Sequence, residues 1–307
     1  KRNPDSKWKL QPDFLVKIKK TQLEILKQYS SLIKANGKMV YATCSILPSE
    51  NELQIERFLD SEEGKQFKLE EHVARLYSGI KILRIPLEMT QTQMIDECYK
   101  TVEENNHLFE ENDEHRLLID VSRGLLGIYQ NIDGLRKGPN VIIADFPLRW
   151  TVASMGALFE TGINMVITSQ RAIPASLMDP KIKNRSRLFY LMANIEASLI
   201  AGDNNWALLL GTDGFITEGT GDNFFIVKDG VVITPEGRDV LRGVSRQYVM
   251  VELCAALGIP CIEKNIDPYD VYTADEAFIT GTPFCMLPVT SLNGLAIGDG
   301  KVGSVFS

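Results

Sequence analysis

No stretch of this chain reaches the roughly 18 consecutive apolar residues that a bilayer-spanning helix needs, and no charged segment followed by an apolar one opens it. Neither a membrane span nor a secretory signal is therefore expected. Histidine is scarce: His72, His107 and His115 are the only imidazoles, too scattered for a metal cluster, and no metal site is expected. The cysteines (Cys44, Cys98, Cys254, Cys261 and Cys285) are odd in number and contain no Cys-x-x-Cys pair. That argues against a disulfide framework or a zinc site and fits a reducing cytoplasm. A surplus of positive charge is also missing. The net charge of −7 excludes a broad basic face for nucleic acid. Only the opening is basic, with Lys1, Arg2, Lys7, Lys9, Lys17, Lys19 and Lys20 against Asp5 and Asp13. Such a start suits RNA contact or a solvated face.

What is present is a globular composition, 44% apolar and 24% charged, and 307 residues suffice for two or three domains. The chain opens at Lys1, so a preceding segment is expected. Leu23, Leu26, Tyr29, Leu32 and Ile33 recur at helical spacing ahead of Gly37, a short apolar strand follows over Met39 to Cys44, and Ser49 with Glu52 forms a capping box. This reads as a helix-strand-helix piece of an α/β sheet. Further on, Val141 to Phe146 reads as a buried strand, and Pro147 to about Met155 as a connection between domains. A helix is expected over about Ser186 to Ile200, hairpins through Asp213-Gly214 and Asp229-Gly230, and a helix from about Ser245 to Leu257 stopped by Gly258 and Pro260.

The residues able to carry chemistry follow one another in order: Lys183, then Glu218-Gly219-Thr220-Gly221-Asp222-Asn223, then Leu241-Arg242-Gly243-Val244-Ser245-Arg246, then Thr280-Gly281-Thr282. A reactive lysine, a carboxylate and two glycine/hydroxyl turns are the parts needed to hold a phosphorylated pyridine aldehyde. On residue type alone Lys181 is as good a nucleophile as Lys183, and Ser245 reads equally well as a helix N-cap.

From about Phe67 to Ser307 this order resembles the class IV (branched-chain and D-amino-acid) family of pyridoxal phosphate aminotransferases. The resemblance implies a two-domain α/β fold with its small domain truncated, divided here as 67–149 and 150–307. It places the Schiff-base lysine at Lys183 and the partner of the pyridinium nitrogen at Glu218. The phosphate would fall to Gly243, Val244, Ser245 and Thr282, with Arg75 of the His-x-x-Arg-Leu pattern as a charged donor. Gly281 and Thr282 would meet the substrate carboxylate. The implied cofactor is pyridoxal 5'-phosphate, and the implied substrates are an amino acid, branched-chain aliphatic by this likeness, and a 2-oxo acid such as 2-oxoglutarate. A homodimer is implied as well. Where the family often has an asparagine-tyrosine pair shortly after the lysine, this chain has Arg187-Leu188.

Residues 1–66 resemble something else. Tyr41-Ala42-Thr43-Cys44-Ser45 through Pro48-Ser49-Glu50-Asn51-Glu52 is similar to the C-terminal part of Sun-type RNA (cytosine-5) methyltransferases, whose attacking cysteine matches Cys44. That implies a Rossmann-like fragment without its methyl-donor site, with Cys44 equally readable as a small buried residue. The chain thus reads as a join of two C-terminal pieces. An aminodeoxychorismate-type lyase on the same fold, a methyltransferase remnant able to touch RNA through residues 1–66, and an inactive chimera are the other readings.

Overall fold

The computed structural model describes residues 20–26, 62–110 and 113–306. Cys44, the strand over 39–44 and the capping box at Ser49 lie outside the described residues. The chain forms two compact units, 1–73 and 74–307. In the first, residues 20–26 are helical, as the Leu23/Leu26 spacing predicts, and Leu26 is buried.

Helix α1 (Glu62–Ile82) carries the His-x-x-Arg-Leu pattern. Helix α2 (Gln91–Asn105) opens on a capping box in which Thr90 Oγ1 accepts the Gln93 N–H at 3.2 Å and Gln93 Oε1 accepts the Thr90 N–H at 2.8 Å. Its buried residues, Met94 and Cys98, are four apart and so share one face. Strands β1 (His115–Ser122) and β2 (Asn140–Pro147) pair antiparallel as a two-stranded sheet. The strand expected at Val141 to Phe146 is therefore present, but it is not a buried one: Ile142 is 61% exposed. An apolar run signals burial on both faces only when further layers cover it.

Short helices α3 (Arg149–Val152) and α4 (Leu158–Thr161) lead into β3 (Ile163–Arg171) and then α5 (Leu188–Ser198). Strands β4 (Asn205–Leu210), β5 (Ile216–Gly219), β6 (Asn223–Lys228) and β7 (Val231–Thr234) follow. The hairpins expected at Asp213-Gly214 and Asp229-Gly230 are the antiparallel pairs β4–β5 and β6–β7. The helix expected from Ser245 runs over residues 244–257 and contains a π segment, Val249–Leu253, before it stops at Gly258 in the left-handed conformation. It is labelled α6. Strand β8 (Cys261–Glu263), helix α7 (Pro268–Tyr272), β9 (Glu276–Gly281), β10 (Cys285–Leu292) and β11 (Leu295–Ala296) complete the unit.

The sheet order is β11-β10-β3-β4-β5-β6-β7-β8, and β9 pairs with both β10 and β6. Strands β10, β3, β4, β5, β6 and β9 thus close on themselves as a barrel. Alternation along each strand explains the core. On β6, Phe224 and Ile226 join the cluster containing Met165, Leu208 and Leu287, while Phe225 and Val227 join Val249, Cys254 and Phe278 on the other face. On β4, Leu208 and Leu210 belong to the first cluster and Ala207 and Leu209 pack with Ala193 and Ala197 of α5. These strands are buried on both faces, which is why they read as unbroken apolar runs.

Phe225 and Phe278 stack with ring centroids 4.8 Å apart, and Phe225 is fully buried. Truncating it, Phe225→Ala, is expected to cost about 3–5 kcal/mol in urea unfolding. A loss below about 1 kcal/mol would show that this face is not a packed core.

Candidate active site

The residues singled out from the sequence meet at one end of the barrel. The β5–β6 pair places Glu218 directly opposite Asn223, and the tight turn between them is Gly219-Thr220-Gly221-Asp222. A β-carbon on Gly219 would stand 2.3 Å from an Asp222 carboxylate oxygen, so only glycine leaves room for that side chain to fold back beneath the turn. Glu218 is buried. Its Oε1 accepts the Tyr190 O–H at 2.8 Å, and its Oε2 accepts the Leu241 N–H at 2.9 Å and an Asn223 Nδ2 hydrogen at 3.2 Å. Burial pushes its carboxyl up to about 7 against the pull of these donors and of the Lys183 charge. Asp222 is buried too and is also pushed up to about 7, first by burial and then by the Glu218 charge. Its Oδ1 has no hydrogen-bond partner among the described residues.

Asn223 extends the network, since Nδ2 also donates to the Leu241 carbonyl at 2.8 Å. That fixes the turn before α6. Gly243, not Ser245, is the N-cap of this helix, and no side chain caps it. Ser245 is its second residue, because the chain turns two residues earlier than the serine suggests: a β-carbon on Gly243 would stand 2.2 Å from Asn223 Oδ1. The first helical turn therefore leaves N–H groups without helical partners next to the turn that Glu218 holds. Arg75 of α1 donates to the Arg242 carbonyl at 3.0 Å, which brings its guanidinium to the same turn. Arg246, by contrast, is buried and donates to the Pro235 carbonyl at 2.8 Å, a structural role. Strand β9 pairs with β6 so that Thr280 faces Asn223, placing Gly281 and Thr282 at this end of the barrel. Thr282 is exposed and Gly281 is packed against the Phe284 ring, and neither lines the cleft described next.

That cleft is lined by Lys183, Arg187, Tyr190, Glu218 and Leu241, with Ala172 and Ile173 among its apolar walls. The structure separates the two lysines that the sequence leaves equivalent. Lys181 pairs with Asp179 at 2.8 Å and reaches the Arg238 carbonyl. Lys183 makes no hydrogen bond or ion pair among the described residues. Solvent reaches it, yet the cleft walls and the charges of Arg75 and Arg187 hold its ammonium down to about 8, with desolvation the largest cause. The segment carrying it is held by Arg185, whose Nε donates to Asp120 of β1 at 2.7 Å. Helix α5 begins at Leu188 rather than Ser186 because Asn184 Oδ1 accepts the Ser186 N–H at 2.9 Å and keeps residues 184–186 in a turn.

Tyr190 was not singled out by sequence reasoning, and Asp222 and Asn223 were named only as part of the run after Glu218, without a role. A signal for Tyr190 exists in retrospect: it lies in the first turn of the helix whose Ala193 and Ala197 pack on the sheet, so the direction of its side chain is fixed by that packing. It supplies a phenol to the cleft although Arg187-Leu188 replace the expected asparagine-tyrosine pair.

Two outcomes follow. Competitive acylation should show Lys183 reacting with a titration midpoint near 8, against a midpoint near 10.5 for an unperturbed lysine; an ordinary midpoint at Lys183 would contradict the cleft electrostatics. Asp222 has a raised folded-state value, so its protonated form favours folding and stability is lost as pH climbs from 3.8 through about 7. Asp222→Asn should accordingly gain melting temperature over the unaltered chain on going from about pH 5 to about pH 8. A difference that is flat with pH would rule this out.

The sequence model of amino-transferase class IV matches residues 56–292, and that of 16S rRNA methyltransferase RsmB/F matches residues 1–93. A protein of Methanocaldococcus jannaschii assigned as a branched-chain-amino-acid aminotransferase is 35% identical over 79% of this chain and 80% of its own length. The Escherichia coli branched-chain-amino-acid aminotransferase is 31% identical over 81% of this chain and 78% of its own. The crystal structure of an Escherichia coli branched-chain amino acid aminotransferase superposes with a TM-score of 0.67 at 28% identity, covering 78% of this chain and 76% of that one. A T.th. branched-chain amino acid aminotransferase solved with pyridoxamine 5'-phosphate gives 0.65 at 27% identity, covering 78% and 75%. With a Lys183 amine, a buried Glu218 carboxylate and an open helix start around one end of the barrel, and with the family match spanning most of its length, the chain belongs to the class IV aminotransferases, pyridoxal phosphate-dependent enzymes of amino-group transfer, its opening residues resembling an RsmB/F-type rRNA methyltransferase.

Proposed function

We propose that this end of the barrel holds pyridoxal phosphate through Lys183, Glu218, Arg75, Gly243, Val244, Ser245 and Thr282, and that the chain moves an amino group between a branched-chain amino acid and a 2-oxo acid such as 2-oxoglutarate. The observation that carries the reading is the pairing, across one cleft, of an amine at Lys183 that has no partner among the described residues with a carboxylate at Glu218 whose burial is relieved by three donors.

The donor set fits the group. A buried carboxylate raised to about 7 is a natural partner for a protonated ring nitrogen, which would restore its charge-assisted pairing. Uncapped N–H groups at Val244 and Ser245, with the positive helix end and Arg75 beside them, suit a phosphate dianion. When bound, the cofactor supplies an aldehyde carbon and an electron-withdrawing ring for labilising bonds at the substrate α-carbon. The protein's own part is positional and acid-base. Lys183, neutral far more often near pH 7 than an ordinary lysine, can take a proton at Nζ from one carbon and return it to another. Glu218 is the acid opposite, kept in place by Tyr190, Asn223 and the Leu241 amide, whose hydrogen bonds favour its ionised form. Gly281 and Thr282 are assigned to the substrate carboxylate, and the parts 67–149 and 150–307 to the small and large domains of the fold.

The same reading assigns a homodimer and leaves RNA contact to residues 1–66. The exposed apolar side chains of α5, Leu188, Leu191, Met192 and Ile195, support association. The rRNA methyltransferase match supports the second assignment. No helix among the described residues is long and apolar enough to cross a membrane.

The test is the visible absorbance of the purified chain with added pyridoxal phosphate, followed by borohydride reduction and peptide mapping. A shifted band with the label on Lys183, lost in Lys183→Ala together with a fall in amino-group transfer of about 10²-fold or more, is the expected result. No band, or a label spread over many lysines, would end this reading.

A further inference from the structure

Arg246 is the third residue of α6 and follows directly on the Val244 and Ser245 N–H groups assigned to the phosphate, yet it does not line the cleft. It is a costly choice for this position. A cation in the first turn of a helix is disfavoured by the macrodipole, and this one is buried, with Nε lacking a hydrogen-bond partner among the described residues. Its Nη2 donates to the Pro235 carbonyl at 2.8 Å and to Oε1 of Glu263 on β8. Local rules broken at a buried position beside a site are the pattern expected where a side chain serves that site.

What the ion pair holds is the loop between β7 and α6. Glu263 is in register with Thr234, the last residue of β7, so its carboxylate stands where that loop begins. The same Oε1 accepts the Gly237 N–H at 3.2 Å, and a β-carbon on Gly237 would crowd that oxygen at 3.1 Å. The Gly237 carbonyl in turn accepts the Arg242 Nε hydrogen at 3.3 Å. The loop is thus tied twice across its mouth, Pro235 to Arg246 and Gly237 to Arg242, with Glu263 gripping Arg246 and Gly237 together. The Arg246 guanidinium keeps the Glu263 carboxyl below the usual glutamate range, so the clamp stays charged at neutral pH. Leu241 has anchors of its own in Glu218 and Asn223. The helix start has no side-chain cap, so the Val244 and Ser245 N–H groups take their direction from the loop and from the arginine that closes it.

We propose that Arg246 and Glu263 are positioning residues for phosphate recognition: their ion pair, closed over the β7–α6 loop, aims the Val244 and Ser245 N–H groups at the phosphate, although neither side chain touches the ligand. This rests on the reading of the helix start as the phosphate site. The pair governs how tightly the phosphate arm of the cofactor is held and not how the ring is held, since the ring partner Glu218 is fixed separately by Tyr190, Asn223 and Leu241.

The experiment uses the full chain and two aldehydes that differ only in the phosphate, pyridoxal 5'-phosphate and pyridoxal, each titrated by its visible band. Glu263→Ala, a change at a half-exposed position, should weaken pyridoxal 5'-phosphate by about tenfold or more and pyridoxal by less than about twofold. The pH midpoint of the bound band, which reports the ring side, should stay where it is. Glu263→Gln keeps an oxygen for Arg246 and Gly237 and should recover part of the loss. An unchanged affinity for pyridoxal 5'-phosphate, an equal loss for both aldehydes, or a displaced midpoint would overturn the proposal, the last two because they mark a general loosening. If circular dichroism shows Glu263→Ala unfolded, Glu263→Gln is read in its place. A loss of about threefold or more confined to the phosphorylated aldehyde then supports the clamp, and no loss or an equal loss overturns it. If the unaltered chain takes neither aldehyde, inorganic phosphate is titrated by calorimetry. Phosphate bound by the unaltered chain and lost in Glu263→Ala upholds the clamp, and it is the amino-transfer reading that fails at Lys183. No phosphate binding by the unaltered chain, or binding that survives the substitution, overturns the clamp.

Discussion

The arrangement at the barrel end depends on one buried carboxylate. Glu218 is reached by donors from three separate segments: a phenol from α5, an amide side chain from the neighbouring strand and a backbone N–H from the turn before α6. Removing a carboxylate from water is costly, and the cost is offset only if every one of those donors arrives. The requirement therefore acts as a positional constraint on helix, hairpin and turn together. It holds Tyr190 in the cleft, fixes the register at Asn223 and sets where the chain turns into α6.

Around that constraint the charges are sorted by side. Glu218 and Asp222 lie beneath the β5–β6 turn, deep enough that both protonate near neutrality. The cations Lys183 and Arg187 line the open cleft, and Arg75 stands by the turn into α6. A floor of acids poised to exchange protons and a rim rich in positive charge suit a ligand with a protonated ring at one end and acidic groups at its edges. Each side crowds like charges together, and the opposite charge across the cleft offsets part of that repulsion.

Much of this was legible in the sequence, and the parts that were not have physical causes. The hairpins at Asp213-Gly214 and Asp229-Gly230 and the helix ended by Gly258 are set by local backbone rules, so their residues announce them. Glu218 and the glycines about it were readable because a tight turn beside a buried acid demands small residues. The exposure of Ile142 was hidden, since burial depends on how many strands flank it rather than on its own neighbours in sequence. Ser245 is a good N-cap by type, but a close approach from Asn223, on a strand well before the helix, moves the cap to Gly243. The choice between Lys181 and Lys183 turns on Asp179, which captures one and not the other. Residues 27–61, where Cys44 falls, lie outside what the structure describes.

The barrel closes through a parallel pair between β3 and β10, with Ile163 opposite Val289, and through β9 laid against β6. Both closures join segments far apart along the chain, and such distant pairings form late because their loop entropy is spent before any contact returns it. During synthesis β3 to β7 must wait, with apolar faces open, until the last strands leave the ribosome. The strand that completes the ring also delivers Gly281 and Thr282, so the nascent chain cannot have a finished barrel end before it has a finished barrel.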